Sequence, residues 1–341
     1  MEMRLRYESK LGLVETERGI KLIKDTFEHE LAQALNLERV SAPRFLEVGN
    51  GLQDDLAGTQ EPVQFRVKHS PHPVEMVHSL AKWKRQALAR YGFQPATGLY
   101  TDMDAVRKDE AVDETHSNYV DQWDWEKVVL ASERNLDYLK ETVQRIYGAL
   151  LHTEAVLSEA FPVLERLLPP EITFIHAQEL EDRYPGLAPA ERENRAAEEL
   201  GAYFLIGIGG KLKSGRVHDL RAADYDDWIT ETGPGRKGLN GDIIVLDQIR
   251  GKALELSSMG IRVDKNSLAA QLKVLDLEDR KNLPFHRAIL EDRLPLTIGG
   301  GIGQSRLCML LLQKFHIGEV QASIWPRDMR AEYEQYGIIF L

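Results

Sequence analysis

The sequence predicts an α+β fold, a mixed, mainly antiparallel β-sheet flanked by helices, in a single domain over residues 1–341. Three observations predict it. Several extended segments follow one another with no helix between them, as hairpins do and strand–helix–strand crossovers do not. Segments with apolar residues three and four apart are inserted between those pairs. Strands and helices alternate through the whole chain, and no Ser/Pro/Gly linker, composition step, internal repeat or low-complexity tract marks a boundary.

The elements follow in order. Ile20, Ile23, Phe27, Leu31 and Ala34 share one helix face, and that helix ends near Leu37. A short strand follows and closes at Pro43. Segments 63–67 and 74–77 read as paired strands across a turn at Pro71 and Pro73. Ser79 reads as the N-cap of a helix carrying Trp83, Ala87 and Leu88. Strands at 98–106 and 117–125 form a hairpin with a long charged loop. The longest helical pattern runs from a Ser132 cap through Leu136, Leu139, Val143, Ile146 and Leu150 to about Phe161. Strands are expected at 172–176, 202–208, 242–246 and 253–263, and a helical region at 267–290. The glycine-rich segment 299–303 opens a last helix through Leu312.

Composition narrows the function. Hydrophobic residues make up 43% and charged residues 28%, values of an ordinary globular protein, which exclude a disordered or fibrous chain. Charges interrupt every apolar run well short of the ~18 residues of a membrane span. Residues 1–6 mix acid and base and lead into no apolar signal core. The single cysteine, Cys308, excludes an internal disulfide framework and a multi-cysteine zinc site. With 54 acidic against 43 basic residues the net charge is −11, which opposes non-specific attraction to a nucleic-acid backbone. A cytoplasmic protein is expected, with neither nucleic acid nor membrane as partner.

Glycine-rich stretches raise the question of a nucleotide. Gly233-Pro234-Gly235-Arg236-Lys237-Gly238 has the spacing of a dinucleotide fingerprint, but it follows no strand, contains a proline and opens no apolar helix. It reads as a surface loop. No Gly-Lys-Ser/Thr occurs, which removes the P-loop. Gly299-Gly300-Gly301-Ile302-Gly303-Gln304-Ser305-Arg306 is different. Backbone without Cβ atoms can approach a ligand, a helix start favours an anion, and Arg306 supplies charge or a flat stacking surface. The alternative is a tight strand-to-helix turn with a surface arginine. Arg107-Lys108-Asp109-Glu110, directly after a strand, is either a phosphate clamp or a solvated loop.

Gln122, Asp124 and Glu126 alternate with Trp123 and Trp125, so three polar groups share one strand face and meet either water or a polar cavity. Asp242 and Glu255 stand on successive strands, either as oxygen ligands for Mg²⁺ bridging phosphates or as edge charges. The acidic patch Asp224-Tyr225-Asp226-Asp227-Trp228 is either a metal site or a loop face, and Gly49-Asn50-Gly51-Leu52-Gln53-Asp54-Asp55, a loop bearing carboxylates, by itself says only turn. No His-Glu-x-x-His pair occurs among the ten histidines, and Cys308 lies in an apolar helix; neither a zinc hydrolase nor a cysteine nucleophile fits.

These pieces stand in a telling order: a helix with a strand ending at Pro43, then strand–Arg107-x-Asp109-Glu110–loop–strand, then the glycines, Arg306 and a helix. The order resembles the three motifs of class II aminoacyl-tRNA synthetases, the aspartate-specific branch above all. Ser79 with Lys84, Gln122-x-Asp124-x-Glu126, and Glu255 through Arg262 look like that branch's amino-acid and ATP pocket. A tighter resemblance is to the ammonia-dependent aspartate–ammonia ligases (asparagine synthetase A), which keep this catalytic domain without tRNA. It rests on His78-Ser79-Leu80-Ala81-Lys82-Trp83-Lys84-Arg85, Tyr119-Val120-Asp121-Gln122-Trp123-Asp124-Trp125-Glu126, the Asp224 to Trp228 patch, Gly238-Leu239-Asn240-Gly241-Asp242 and Glu255-Leu256-Ser257-Ser258-Met259-Gly260-Ile261-Arg262. The Gly299 to Arg306 run completes it. The likeness runs from about Val14 to Pro326.

The resemblance implies six or more antiparallel strands, a homodimer joined at the first helix and its strand, and a reaction. L-aspartate, ATP and ammonia would give L-asparagine, AMP and pyrophosphate through β-aspartyl adenylate. Arg107 would hold the α-phosphate and Arg306 the γ-phosphate or adenine; Asp242 and Glu255, with Ser258, would organise Mg²⁺; His78, Ser117 and Asp226 match positions near the nucleotide. Lys84 and Arg262 would take the unreactive carboxylate of aspartate, Gln122 and Asp124 its ammonium, with Ser79 and Ser257 adding hydrogen bonds. In the tRNA synthetases the matching cations hold the side-chain carboxylate; in the ligases the amino acid is reversed. Asp54 matches the family's loop aspartate and is expected to take a proton from ammonium.

Val120 departs from the synthetase pattern, which has an aromatic residue there to stack on adenine. A tRNA-charging enzyme is a poorer reading, because residues 1–13 are too short for the N-terminal anticodon-binding barrel and the chain is acidic. A non-catalytic sensor is also poorer, because Arg107, Arg306, Asp242, Glu255 and Asp54 are all present. With no glutaminase domain or N-terminal cysteine, ammonia is the expected nitrogen donor.

Overall fold

A computed structural model describes residues 7–58 and 60–341; the mixed charges at residues 1–6 lie outside it. Helix α1 (Leu13–Leu35) buries Ile23, Phe27, Leu31 and Leu35, and stops at Asn36, whose left-handed backbone (φ 58°) cannot continue it. Strands β1 (Leu37–Arg39), β2 (Phe45–Glu47), β3 (Gln64–Phe65) and β4 (Val74–Met76) follow, then α2 (Ala81–Tyr91), β5 (Gly98–Val106), β6 (Tyr119–Val128) and α3 (Leu136–Ala160). Next come β7 (Thr173–His176), α4 (Ala177–Arg183), α5 (Pro189–Leu200), β8 (Ala202–Ile206), β9 (Glu231–Gly233), β10 (Arg236–Lys237), β11 (Asn240–Asp247) and β12 (Lys252–Ile261). The chain closes with α6 (Lys265–Val274), α7 (Pro284–Leu290), β13 (Thr297–Gly303), α8 (Gln304–Leu311) and α9 (Arg327–Glu334).

Eight strands form the main sheet in the order β1–β5–β6–β13–β12–β11–β8–β7. The two end pairs are parallel and all pairs between them antiparallel, so the mixed sheet is antiparallel wherever it carries the site. One face is covered by α1, α3 and α8 and holds the largest core cluster, with Trp123 and Trp125 fully buried. Phe27 meets Trp123 at 4.8 Å between ring centroids, a contact worth about 1 kcal/mol beyond its buried area. The opposite face is shared. Helices α4 and α5 cover its β7–β8 end, where Ile175, Ala196, Tyr203 and Leu205 pack. Helix α2, helices α6 and α7 and the small sheet β2–β4–β3 stand over the rest, and a cavity opens among them.

Five expectations are corrected. Ser132 lies in a 3₁₀ turn, and α3 is capped instead by Asn135, whose side chain accepts from the Tyr138 N–H at 2.9 Å. Ser79 stands one residue before the N-cap position of α2, accepting from the Ala81 N–H at 3.1 Å. The helical region at 267–290 is broken by Asp276 (φ 55°), a 3₁₀ turn at Glu278–Asn282 and Pro284, which starts α7. Helices α4 and α5 occupy a stretch read as containing none.

The fifth concerns the glycines, which form a central strand rather than a turn. At three of them a Cβ would crowd a neighbour. A Cβ at Gly300 would lie 2.5 Å from the Met259 Cβ, against the ~4.5–5.5 Å usual for facing residues. A Cβ at Gly299 would collide with the Glu126 carboxylate, and one at Gly301 with the Gln122 amide.

Candidate active site

The cavity measures about 320 Å³, within the size range of small-ligand sites, and its floor is made by β6, β13 and β12. Strand β6 alternates as its sequence implies: Trp123 and Trp125 point into the core, while Gln122 and Asp124 line the cavity. Glu126, on the same side, lies beneath and accepts from Arg262 Nη2 at 2.8 Å and from the Thr297 hydroxyl at 2.7 Å. Arg262 also pairs with Asp226 and lies 5.7 Å from the Tyr225 ring centroid. Two carboxylates hold the guanidinium charged, raising its pKa despite burial.

From α2, fully buried Lys84 reaches the same floor. Its Nζ is 2.5 Å from Asp124 and 2.8 Å from the Gly300 carbonyl. Burial pulls the lysine below its ordinary pKa, and Asp124 opposes that shift. Ser79 lines the wall beside it.

Arg107, Ser117, Arg306, Glu255 and Ser258 line the same cavity. Arg107 Nη2 donates to the His78 carbonyl at 3.3 Å, and its Nε is buried without a partner. Arg306 is fixed from two sides: Nη1 donates to the Glu255 carbonyl at 3.0 Å, and Nη2 lies 3.1 Å from His116 Nε2. His116 Nδ1 is 2.9 Å from Asp113, whose carboxyl is held below its usual range by His116 and Thr115 despite burial. Val120 also lines the cavity, and Ser117 Oγ lies 3.0 Å from Ser323 Oγ.

Asp54 reaches the cavity from the loop at 49–55 and is almost completely buried. Its Oδ1 accepts from the Leu56 N–H at 2.9 Å. Burial raises its pKa; Lys82 counters this, and Asp224 and Asp55 add to it. Behind it Asp224, wholly buried, accepts from Lys82 at 3.1 Å and Arg280 at 3.3 Å and lies 2.9 Å from His286 Nε2.

Known proteins match this sequence and this fold. The sequence model of one family, described as aspartate-ammonia ligase, matches residues 14–337. An aspartate–ammonia ligase of Clostridium perfringens is 55% identical over 336 residues, covering 98% of this chain and 97% of that protein. The chain belongs to the aspartate–ammonia ligase family. A ligase of Fusobacterium nucleatum is 54% identical, covering 98% of this chain and 99% of the relative. Among solved structures, the asparaginyl-tRNA synthetase of Pyrococcus horikoshii complexed with asparaginyl-adenylate superposes with a TM-score of 0.66 at 15% identity, over 92% of this chain and 70% of that one. An aspartyl-tRNA synthetase of Entamoeba histolytica gives 0.61 at 13% identity, over 90% and 57%. These two show a shared fold, that of class II synthetases.

Three residues singled out in this ligase-family sequence do not line the cavity. Ser257 shares its side of β12 with Met259 and Ile261 of the core, and its hydroxyl is buried without a partner. The cause is a bulge: Ile243 pairs with Ser257 but Ile244 with Glu255, so Leu256 is the extra residue. The bulge lets Glu255 and Ser258 both face the cavity and turns Ser257 away. His78 stands behind Arg107, its Nδ1 3.2 Å from the Asp54 carbonyl. Burial lowers its pKa, which favours a neutral ring donating from Nδ1.

Asp242 is covered by Arg221, which pairs with it and with Asp219. Burial and Glu255 push Asp242 upward in pKa, while Arg221 pulls it down. Arg221, His116 and Arg280 escaped the sequence reading. Arg221 and His116 stand in loops and Arg280 in a 3₁₀ turn, and only the folded chain brings Arg221 to Asp242, His116 to Arg306 and Arg280 to Asp55 and Asp224.

The donor set fits a magnesium ion in one respect. Asp242 Oδ1 is buried with no partner, close enough to Glu255 for the two charges to repel. Among the described residues no group of three or more His, Cys, Asp or Glu could hold a metal, so two carboxylates would need phosphate or water oxygens to complete the shell. No helix among the described residues is long and apolar enough to cross a membrane.

Proposed function

We propose that this chain makes L-asparagine from L-aspartate, ATP and ammonia, releasing AMP and pyrophosphate through a β-aspartyl adenylate. One observation carries the reading. A single cavity is lined by Lys84, Gln122 and Asp124, by Arg107 and Arg306, and by Asp54.

The Lys84–Asp124 pair offers a cation and an anion side by side. The backbone end of aspartate carries the same two charges, so its ammonium can take Asp124 and Gln122 while its α-carboxylate takes Lys84 and Arg262, with Ser79 adding a hydrogen bond. The β-carboxylate then faces Arg107. One of its oxygens attacks the α-phosphorus of ATP, the bond to the bridging oxygen breaks, and pyrophosphate leaves. Arg107 and Arg306 stabilise the charge that gathers on the phosphates. Held in line by the protein, the two substrates react as one bound pair. Ser117 and Asp226 border the nucleotide, and His78 aims Arg107.

Mg²⁺, held by Asp242 and Glu255 with Ser258 beside them, would neutralise phosphate charge when bound. Ammonia attacks the acyl carbon of the adenylate, the carbon–oxygen bond to AMP breaks, and the proton carried by the incoming nitrogen passes to Asp54. The reading extends to a homodimer that joins α1 and β1 of two copies, β1 being an edge strand of the main sheet, and to a cytoplasmic enzyme.

The test measures all products at once. Purified protein given aspartate, ATP, Mg²⁺ and ammonium should form asparagine, AMP and pyrophosphate in equal amounts. Release of ADP, or no dependence on aspartate, would overturn the reading.

A further inference from the structure

The loop bearing Asp54 is tied down on both sides of that residue. On one side Gln53 Nε2 donates to the Met76 carbonyl at 2.6 Å and its Oε1 accepts from the His78 N–H at 3.0 Å, which fixes the loop to the β4–α2 connection. On the other side Asp55 pairs with Arg280, which comes from the 3₁₀ turn between α6 and α7. Arg280 itself is anchored, for its second nitrogen donates to Asp224 at 3.3 Å, and Asp224 is further fixed by Lys82 and His286. The loop also presses on this wall at Gly51, where φ is +80° and a Cβ would meet Leu283 Cβ at 3.0 Å.

We propose that Arg280 is a positioning residue for the attack of ammonia: by bridging immobile Asp224 to Asp55, it sets the Asp54 carboxylate at the cavity. The proposal rests on the reading above that Asp54 takes the proton from the incoming nitrogen. A guanidinium suits the task because its planar fork can hold two carboxylates at once, which a lysine ammonium on one flexible stem does less well. Arg280 lies outside the cavity lining, so its removal leaves the groups around aspartate and ATP in place.

Arg280→Met and Asp55→Asn separate the two half-reactions. Aspartate-dependent exchange of pyrophosphate into ATP reports the adenylate, and turnover with ammonium reports the second step. Hydroxylamine, largely neutral at pH 7, reports the second step without calling on Asp54. For both variants we expect exchange and aspartyl hydroxamate formation to match the wild type, while turnover with ammonium falls by about 10–100-fold, the cost of a carboxylate misplaced by an ångström or so.

The double variant should be no worse than either single one, because both cut the same link. If all three rates fall together, the role is structural and the proposal fails; if turnover with ammonium stays at the wild-type level, it fails as well. Should Arg280→Met not fold, Asp55→Asn, on a partly exposed side chain, is read by the same criteria. A wild-type protein without aspartate-dependent exchange would instead bring down the reaction itself, and this proposal with it.

Discussion

Asp54 shows how burial equips one residue for its part. Withdrawal from water, with Asp224 and Asp55 nearby, lifts its pKa above the ordinary aspartate value of ~3.9, and Lys82 keeps it from rising further. A carboxylate with a raised pKa is the better proton acceptor. The sign follows directly: below the raised pKa Asp54 is protonated and cannot accept, above it the carboxylate is free. Turnover with ammonia should therefore fall on acidification with an acidic limb above that of an exposed aspartate. Asp54→Ala should form the adenylate, seen as pyrophosphate exchange, while asparagine synthesis drops by roughly 10²–10⁴-fold. Equal loss of both would refute its role. Asp54 was visible in the sequence only through family resemblance, since Gly49 to Asp55 taken alone says turn. Gln122 and Asp124 share one face of a strand by its alternation, while Lys84, like Asp54, was singled out by the resemblance alone.

At the level of elements, β13 divides its labour by face. A Cβ at position 300 meets Met259 Cβ and the Ser258 carbonyl at 2.8 Å, atoms of the neighbouring strand that cannot yield. A Cβ at position 301 meets Gln122 Oε1, the end of a side chain that can turn away. Gly300→Ala should thus lower stability by ~1–3 kcal/mol, read as a lower Tm. Gly301→Ala should leave Tm nearly unchanged and raise the KM for aspartate. The reverse pattern would show that the faces are wrongly assigned.

This strand was misread because glycines offer no alternation of apolar and polar side chains. Helix α5 was missed for a related reason: it buries Arg192, Ala196 and Ala197, too small or too polar a face to register as an apolar stripe. Ser257 was placed on the wrong side because a bulge shifts every residue beyond it, and nothing in a single sequence announces one. The hairpin of β5 and β6 and the long α1 and α3 carry strong periodicity and were legible as elements, although β6 runs past the expected Trp125 to Val128 and α3 is capped at Asn135 rather than Ser132.

Across the whole molecule, one sheet separates a dry side from a working side. Cys308 belongs to the dry side. It is fully buried in α8, and burial pushes its thiol up to about 12. A thiol reagent at pH 8 should leave the folded protein unmodified and label one site per chain once denaturant unfolds it; rapid labelling under native conditions would show that α8 opens readily. The tRNA synthetases share the architecture at identities of only 13–15%. What defines the ligase family is therefore carried by side chains set on a common frame.

That frame limits how the site could be re-engineered. The middle of the cavity floor is bare backbone from β13, and it offers no side chains to exchange. Anyone wishing to admit a longer or differently charged amino acid would have to alter the side chains that β6, α2 and the Asp54 loop supply around that strand, because the strand itself is paved with glycine.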